Sequence, residues 1–454
     1  MVVRSVRTTN ECASVEDNGR MARVVFNTLG SWGDLFPLLP IAAEMRRRGH
    51  HLTFAVPSGF VEVCEGEGFE AVAIAKRATI ADRTEKAARY DVRPRSPLAV
   101  RRLWQDFVLA ELPEMVEGLE KACRDADVLV AHPSQQAPPI VHERTGIPWV
   151  TASMILGMMP SRHTIPQGTI RHPFKGRLGR AANSASWSVG KAAIGSMLDG
   201  PTNAARRRAG APPRRHAMFN ALSPQLRLWL SSPVYQRRPP DWPEHVRQVG
   251  FTYFDAPKAW SPPDDLLAFV DQPEPFVIFT LGFSAAMNAG SFFDVAHEAW
   301  RALGMRAVFL GGWTKNIESM VDSDYAAWTY APVSALLPRA SAIVHAGGYG
   351  TTSHALRHGV PQVVVPWGFD QLFHGDSVEA LGVGTVLPRR KLTAVRLARR
   401  LVAVLQGEAI KEKVRVVSEE LKREGDGSAR ASDEIEHFLG PDVADPIGGR
   451  VPSI

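Results

Sequence analysis

The chain is expected to be an α/β protein built as two doubly wound, Rossmann-like domains that face each other across a cleft. Three observations carry that expectation. Its 454 residues exceed what a single hydrophobic core usually serves, so two domains are expected. Short apolar runs alternate with helical patterns in both halves, the order that feeds a parallel sheet covered by helices. Each half also opens with a strand, a glycine turn and a helix, first at 23–48 and again at 276–303.

Arg23–Asn27 (RVVFN) is an apolar run that ends in Thr28-Leu29-Gly30-Ser31-Trp32-Gly33-Asp34. A helical pattern over 36–48 follows, and Gly49 stops it. Residues 51–56 make the next strand of a β-α-β opening, and 127–131 and 149–152 read as further buried strands. Between 154 and 218 periodicity is weak and Pro, Gly and small residues are many, so only helices and loops are assigned there. Pro239-Pro240-Asp241-Trp242-Pro243 and the Pro- and Asp-rich 255–265 mark a connection between domains. The second unit runs through a strand at 276–280, the turn Leu281-Gly282-Phe283-Ser284 and a helix over 292–303, with strands at 306–311, 342–345 and 362–366. The expected division is an N-terminal domain at 22–250, a C-terminal domain at 265–426, and a last helix and tail at 427–454 that packs back on the N-terminal domain. Residues 410–423, mixed acidic and basic, read as an exposed amphipathic helix.

With 45% hydrophobic and 22% charged residues, and Gly and Pro scattered without repeat, collagen-like, disordered and coiled-coil chains are excluded. No window approaches the 18 apolar residues of a membrane span, so no integral membrane association is expected. The first twenty residues lack the apolar block of a secretory signal. Cys12, Cys64 and Cys123 fit neither a disulfide framework nor a Cys-rich zinc site, and a reducing cytoplasm is the simplest setting. A net charge of +6 over this length is no nucleic-acid signature. Arg206, Arg207, Arg208, Arg214 and Arg215 cluster without interleaved aromatics, and read as a solvated helix face and its following loop.

The strongest feature is the run from Ser341 to Ser353, an apolar strand that passes into Gly347, Gly348 and Gly350 and then a helix over 351–358. Glycines let the backbone approach a ligand closely, and the unpaired N–H groups of a helix start attract an anion such as phosphate. The dipole supplies about 0.3–1 kcal/mol, so charge-assisted hydrogen bonds must add the rest. The Thr351 and Thr352 hydroxyls and the His345 ring are placed to provide them. Beyond the strand at 362–366, Asp370 and Gln371 set a carboxylate beside an amide, a pair suited to the vicinal hydroxyls of a sugar. Asp370 is also placed to cap the helix over 371–381, and the two roles are compatible.

Tyr330-Ala331-Pro332-Val333, Leu337-Pro338, His345 through Thr352, Gly359-Val360-Pro361 and Asp370-Gln371, in this order and spacing, resemble the donor-binding signature of family 1 nucleotide-sugar glycosyltransferases. These are enzymes of GT-B fold, and the similarity is to the bacterial natural-product, macrolide and sterol-type members. Residues 23–60 resemble the family's opening in its Gly-Ser-x-Gly-Asp form, and 231–253 its interdomain approach. The likeness spans most of 22–400 and is weakest between 154 and 220.

The resemblance implies that Tyr330 stacks on the nucleobase while the Val333 backbone reads its edge. It implies that His345, Ser284 and the backbone at Gly347, Gly348, Gly350, Thr351 and Thr352 hold the diphosphate, and that Asp370 and Gln371 grip the sugar. Many relatives have a ribose-binding Glu where this chain has Ser353, and an Asn where it has His374. UDP- and dTDP-sugars therefore both stay open, with UDP-glucose ahead because Asp370 and Gln371 suit a fully hydroxylated sugar. The implied reaction is inverting, metal-independent transfer of a hexose or deoxyhexose to a hydroxyl of a small, largely apolar acceptor, with the nucleotide sugar as co-substrate and no cofactor. Asp34 matches the acidic base of some bacterial relatives; it is equally placed to cap the following helix, and both roles stay open.

Other readings are weaker. Asp125-Ala126-Asp127 and Asp322-Ser323-Asp324 mimic the DxD of metal-dependent sugar transferases, but offer too few oxygen ligands for a hard cation, and no metal is expected. His354 and His358 lie one helical turn apart with no third zinc ligand in view. Trp104, Phe107, Trp187 and the Met group at 154–159 suit either an apolar acceptor or core packing. The competing functions are a nucleotide-sugar epimerase or hydrolase on the same architecture, and an accessory protein that binds the donor without catalysis. A dinucleotide oxidoreductase is disfavoured because neither glycine turn has G-x-G-x-x-G spacing.

Overall fold

The computed structural model describes residues 21–75, 97–155, 158–166, 173–286, 289–311, 320–321, 324–328, 330–368 and 370–440. Two Rossmann-like parallel sheets, one in each half, organise the chain. The first has seven strands in the order β3-β2-β1-β4-β5-β6-β7. They are β1 Arg23–Asn27, β2 His51–Pro57, β3 Glu70–Ala75, β4 Val128–Ala131, β5 Trp149–Ser153, β6 Leu226–Trp229 and β7 Val246–Gln248, paired in parallel throughout. Helices α1 Trp32–Leu35, α2 Leu39–Arg47, α3 Val61–Gly66, α4 Pro97–Trp104, α5 Leu112–Ala122, α6 Pro138–Thr145 and α7 Gly176–Arg208 connect and flank them.

The second sheet also has seven strands, ordered β10-β11-β9-β8-β12-β13-β14. They are β8 Phe276–Thr280, β9 Arg306–Leu310, β10 Met320–Val321, β11 Tyr325–Trp328, β12 Ala340–His345, β13 Gln362–Val364 and β14 Gly384–Val386. Only the edge pair β10 and β11 is antiparallel. Its helices are α8 Asp264–Val270, α9 Gly282–Ala286, α10 Phe292–Arg301, α11 Val333–Leu336, α12 Tyr349–His358, α13 Asp370–Leu381, α14 Ala394–Gln406, α15 Glu408–Glu424 and α16 Gly427–Phe438. Every residue of β4, β5, β8 and β9 is buried, as expected of strands covered by helices on both faces.

The helix expected over 36–48 is α2, which begins at Leu39, and a short helix α1 forms within the glycine turn ahead of it, the two parted at Phe36–Leu38. Pro37 and Pro40 lack the N–H that a continuous helix would need there, and Pro40 sits in the first turn of α2, where none is required. The weakly patterned stretch contains α7, a single helix of 33 residues. Its buried face includes Asn183, Trp187, Gly195, Thr202 and Arg206, so polar and small residues conceal its period. Arg206 is therefore no solvated residue: it is 1% exposed, its guanidinium donates to both Glu143 oxygens at 3.0 and 2.8 Å, and Arg214 joins the same carboxylate at 2.7 Å.

The halves share one hydrophobic core, in which Val249, Phe251 and Tyr253 meet Tyr349, Leu356, Val414 and Ile435. The last helix, α16, lies on α2, where the Arg48 guanidinium meets Asp433 at 2.7 Å and Glu436 at 2.6 Å. Among the described residues no helix is long and apolar enough to cross a membrane.

Candidate functional site

The C-terminal ends of β1 and β4 build one wall. Beyond β1 the chain turns at Gly30, whose φ of +97° is a conformation that side chains disfavour, and Ser31 caps α1 by accepting the Asp34 N–H at 3.3 Å. Ser31 thus caps α1, while α2, the helix that Asp34 is placed to cap in the sequence, has Leu38 at its N-cap and no side-chain cap. The Asp34 carboxylate, 21% exposed, instead faces His132, which β4 delivers one residue past its end; Asp34 Oδ1 lies 3.2 Å from His132 Nε2. His132 Nδ1 accepts the Ser134 N–H at 3.3 Å, so the neutral ring carries its proton on Nε2 and donates it to Asp34. Burial holds the His132 pKa below its ordinary value, partly opposed by the Asp34 charge. A buried neutral donor therefore orients one oxygen of a partly exposed carboxylate.

The ends of β8, β12 and β13 build the other wall. Gly347 adopts φ +92°, and a Cβ there would fall 2.8 Å from Val364 Cγ1 and 2.9 Å from the Gln371 carbonyl, so only glycine fits. Gly348 then caps α12. A Cβ on Gly348 or Gly350 would meet nothing within 4 Å, which leaves open space at the helix start where the first N–H groups have no partner within the helix. Thr352 is buried with its hydroxyl unpartnered, and Ser353 Oγ donates back to the Gly350 carbonyl at 3.0 Å. Gly282 begins α9 at the end of the adjacent strand β8; the Ser284 side chain lies outside the described residues. Tyr330 is half-exposed, and Val333 opens α11, which packs on α12.

His345 is not available as a phosphate ligand, contrary to expectation. It is 1% exposed, its Nδ1 accepts the Gly347 N–H at 3.1 Å, and its Nε2 donates to Gln362 Oε1 at 2.9 Å. Burial pushes its pKa down to about 4, so the ring is neutral with both nitrogens engaged. It shapes the glycine turn from behind.

Asp370 begins α13, and Gln371 Oε1 accepts the Trp367 and Gly368 N–H groups at 2.9 and 3.2 Å. Burial first, and then the negative charge of Asp34, push the Asp370 pKa up to about 7. Carboxylates from the two walls therefore sense each other across the cleft. His374 Nε2 stands 3.7 Å from Asp370, too long for a hydrogen bond, and burial pushes its pKa down to about 3, so the contact is not an ion pair.

Asp34, the glycine turn, Thr352, Asp370 and Gln371 are thus brought to facing strand ends, whereas His345 lies behind its turn. His132 was missed from the sequence, because only the β1–β4 pairing brings it to Asp34. Met158 and Met159 pack with Trp229 and Trp242, and the Trp187 indole N–H reaches the Thr164 carbonyl at 3.0 Å, the core-packing alternative for these residues. Asp322 lies outside the described residues, and among the described residues no three His, Cys, Asp or Glu side chains are grouped to hold a metal.

Residues 319–427 match the erythromycin biosynthesis protein CIII-like C-terminal domain, and residues 24–159 the glycosyltransferase family 28 N-terminal domain. The O-mycaminosyltylonolide 6-deoxyallosyltransferase of Streptomyces fradiae is 27% identical over 403 residues, covering 84% of this chain and 88% of that protein. The 4'-demethylrebeccamycin synthase of Lentzea aerocolonigenes is 28% identical over 401 residues, covering 85% and 92% respectively. The sterol 3-beta-glucosyltransferase of Leptosphaeria maculans is 25% identical over 418 residues, 88% of this chain but only 28% of that longer protein. Among solved structures, the glycotransferase of kitacinnamycin superposes with a TM-score of 0.69 at 20% identity, covering 92% of this chain and 100% of that one. The glycosyltransferase VinC, in complex with dTDP, superposes with a TM-score of 0.65 at 18% identity, covering 92% and 99%. At such identities the superpositions speak for the fold alone.

Proposed function

The chain belongs to the family 1 nucleotide-sugar-dependent glycosyltransferases of GT-B fold, and on that premise we propose that it transfers a hexose or deoxyhexose, with inversion, from a UDP- or dTDP-sugar to a hydroxyl of a small, largely apolar acceptor. One observation carries the reading: an open, glycine-lined helix start on one wall faces a histidine-oriented carboxylate on the other.

In this reading the diphosphate seats on the N–H groups at Gly350 and Thr351, with the turn at Gly347 and Gly348 giving access and Ser284 contributing from the neighbouring turn; the Thr352 N–H is already donated to the Gly348 carbonyl at 3.0 Å, and Thr352 offers its unpartnered hydroxyl instead. Tyr330 and Val333 receive the nucleobase, and Asp370 and Gln371 the sugar hydroxyls. His345 supports the turn without touching the phosphates. His132 holds Asp34 Oδ1, leaving the other oxygen to accept the proton of the acceptor hydroxyl. The acceptor's hydroxyl oxygen, as it gives up that proton, attacks the anomeric carbon while the carbon–phosphate oxygen bond breaks, and the charge released on the diphosphate is met by the start of α12. No step calls for a metal. UDP-glucose leads among donors because Asp370 and Gln371 together accept from and donate to hydroxyls. Cys64 and Cys123 are buried free thiols, which supports a reducing, cytoplasmic setting.

The test is a panel of UDP- and dTDP-sugars, read by thermal shift and by nucleotide release with candidate acceptors. A bound donor at 100 times its Kd should add about 2.7 kcal/mol to stability. If no member of the panel shifts unfolding or loses its nucleotide, the reading is wrong; free or epimerised sugar with no conjugate would favour hydrolysis or epimerisation.

A further inference from the structure

Tyr349, the first residue of α12, is set between Gly348 and Gly350 and is the large side chain next to the glycine turn. That side chain is committed to the other half of the molecule. It is 5% exposed, with its ring 5.7 Å from Phe251 and 6.3 Å from His374. Its hydroxyl accepts the Thr252 N–H at 3.1 Å and lies 3.5 Å from Thr252 Oγ1, which in turn donates to the Pro37 carbonyl at 2.8 Å. Pro37 stands three residues beyond Asp34, and the intervening turn is closed by Phe36 N–H to the Trp32 carbonyl at 3.0 Å and Leu38 N–H to the Leu35 carbonyl at 2.9 Å.

A second tie runs in parallel. His354, also on α12, donates from Nε2 to the Phe254 carbonyl at 3.2 Å, and the Phe254 ring packs on Phe36 with centroids 4.5 Å apart. Two residues of α12 and two residues just behind Asp34 thus grip the same short segment, 251–254, from opposite sides. Thr252 is 3% exposed, so water cannot readily replace a lost tie, and the desolvated Thr252 N–H would be left without its partner.

We propose that residues 251–254 act as a splint through which Tyr349 sets the Asp34 turn against the helix that receives the diphosphate. Tyr349 is a positioning residue and touches no substrate. The inference depends on the donor reading given under Proposed function. Its consequence is that a ligand seated at the start of α12 steadies the Asp34 turn in the other half, through buried hydrogen bonds and without contact of its own there.

Hydrogen exchange of the full chain, with and without saturating UDP or dTDP, tests this. In the wild type the nucleotide slows exchange within 349–358 and also within 32–38, the latter by roughly five-fold or more, the lower end of usual coupling between sites. Tyr349→Phe removes the hydroxyl. Thr252→Val keeps the Tyr349 bond to the backbone but cuts the link to Pro37, so it reports even if the first variant folds poorly. Both keep the slowing at 349–358 and lose a measurable part of it at 32–38, the remainder passing through His354, Phe254 and Phe36. Should the variants retain wild-type slowing at 32–38, or the wild type show none there while 349–358 responds, the splint is refuted and the donor reading stands. If 349–358 does not respond in the wild type, the donor reading itself fails, and the splint with it.

Discussion

Replacing His132 by Ala removes the side-chain donor that, among the described residues, orients the Asp34 carboxylate. The Nε2–H to Oδ1 contact spans 3.2 Å, its donor is buried, and its acceptor is a carboxylate. Hydrogen bonds to charged groups contribute about 1.5–3 kcal/mol, which is roughly 10- to 150-fold in rate if the whole of it serves the transition state. His132 sits behind Asp34 at the end of β4, whereas the glycine turn and Asp370 belong to the other sheet, so the loss should fall on kcat and leave nucleotide affinity within about two-fold. Nucleotide release at saturating donor gives kcat, with water or an acceptor from the panel, and calorimetry with UDP or dTDP gives affinity. His132→Gln, which offers an amide N–H on a side chain of comparable reach, should recover much of the rate. An Ala variant with wild-type kcat, or one that loses rate and affinity in equal measure, would show that His132 does not orient the base.

Three further outcomes are expected. Asp34→Asn should cut transfer by roughly 10²- to 10⁴-fold. By removing the charge that helps hold Asp370 near 7, it should also move the pH dependence of UDP-glucose binding to lower pH, whereas binding to the wild type strengthens as pH rises through about 7 and Asp370 ionises; calorimetry from pH 5 to 8 checks both, and an unmoved profile refutes the coupling. Gly347→Ala forces an unfavourable φ and a Cβ onto Val364 and the Gln371 carbonyl, so thermal unfolding should show a loss of about 1–3 kcal/mol together with weaker nucleotide binding. His345, His354 and His374, held at about 4, 4 and 3, lie below the unfolded value of ~6.5, so the stability they contribute is intact above that value and is lost as pH falls; each should cost roughly 2 kcal/mol by pH 5. Asp370, raised to about 7, works in the opposite direction, losing stability as pH rises, but it is one group against three, so a urea midpoint no lower at pH 5 than at pH 7 would contradict the assignment.

The sheet architecture was legible because strands buried on both faces are short continuous apolar runs, and because glycine turns mark where such strands feed helices. RVVFN and FVIFT carry that signal unaided. The helix α7 did not, since a face that buries Asn183, Gly195, Thr202 and Arg206 has no apolar period to detect. Arg206 looked like solvated charge for the same reason: its partner Glu143 is 63 residues away and meets it only once α6 and α7 are in place. At the site, Asp34, Asp370 and the glycines were visible as motifs, each local to one turn. His132 was invisible because its meaning comes from a strand pairing a hundred residues long, and His345 was misassigned because a motif gives a residue its neighbourhood but not the direction its ring faces.

The opposed carboxylates couple the two walls of the cleft. The Asp34 charge is part of what keeps Asp370 near 7, so in the empty cleft Asp370 is only partly ionised at neutral pH. On the proposed reading, sugar hydroxyls that donate to Asp370 favour its ionised form. The donor therefore enters a site whose carboxylate it must help to ionise against the Asp34 charge. This coupling operates by charge alone, alongside the buried hydrogen bonds that run from α12 through Thr252 to Pro37.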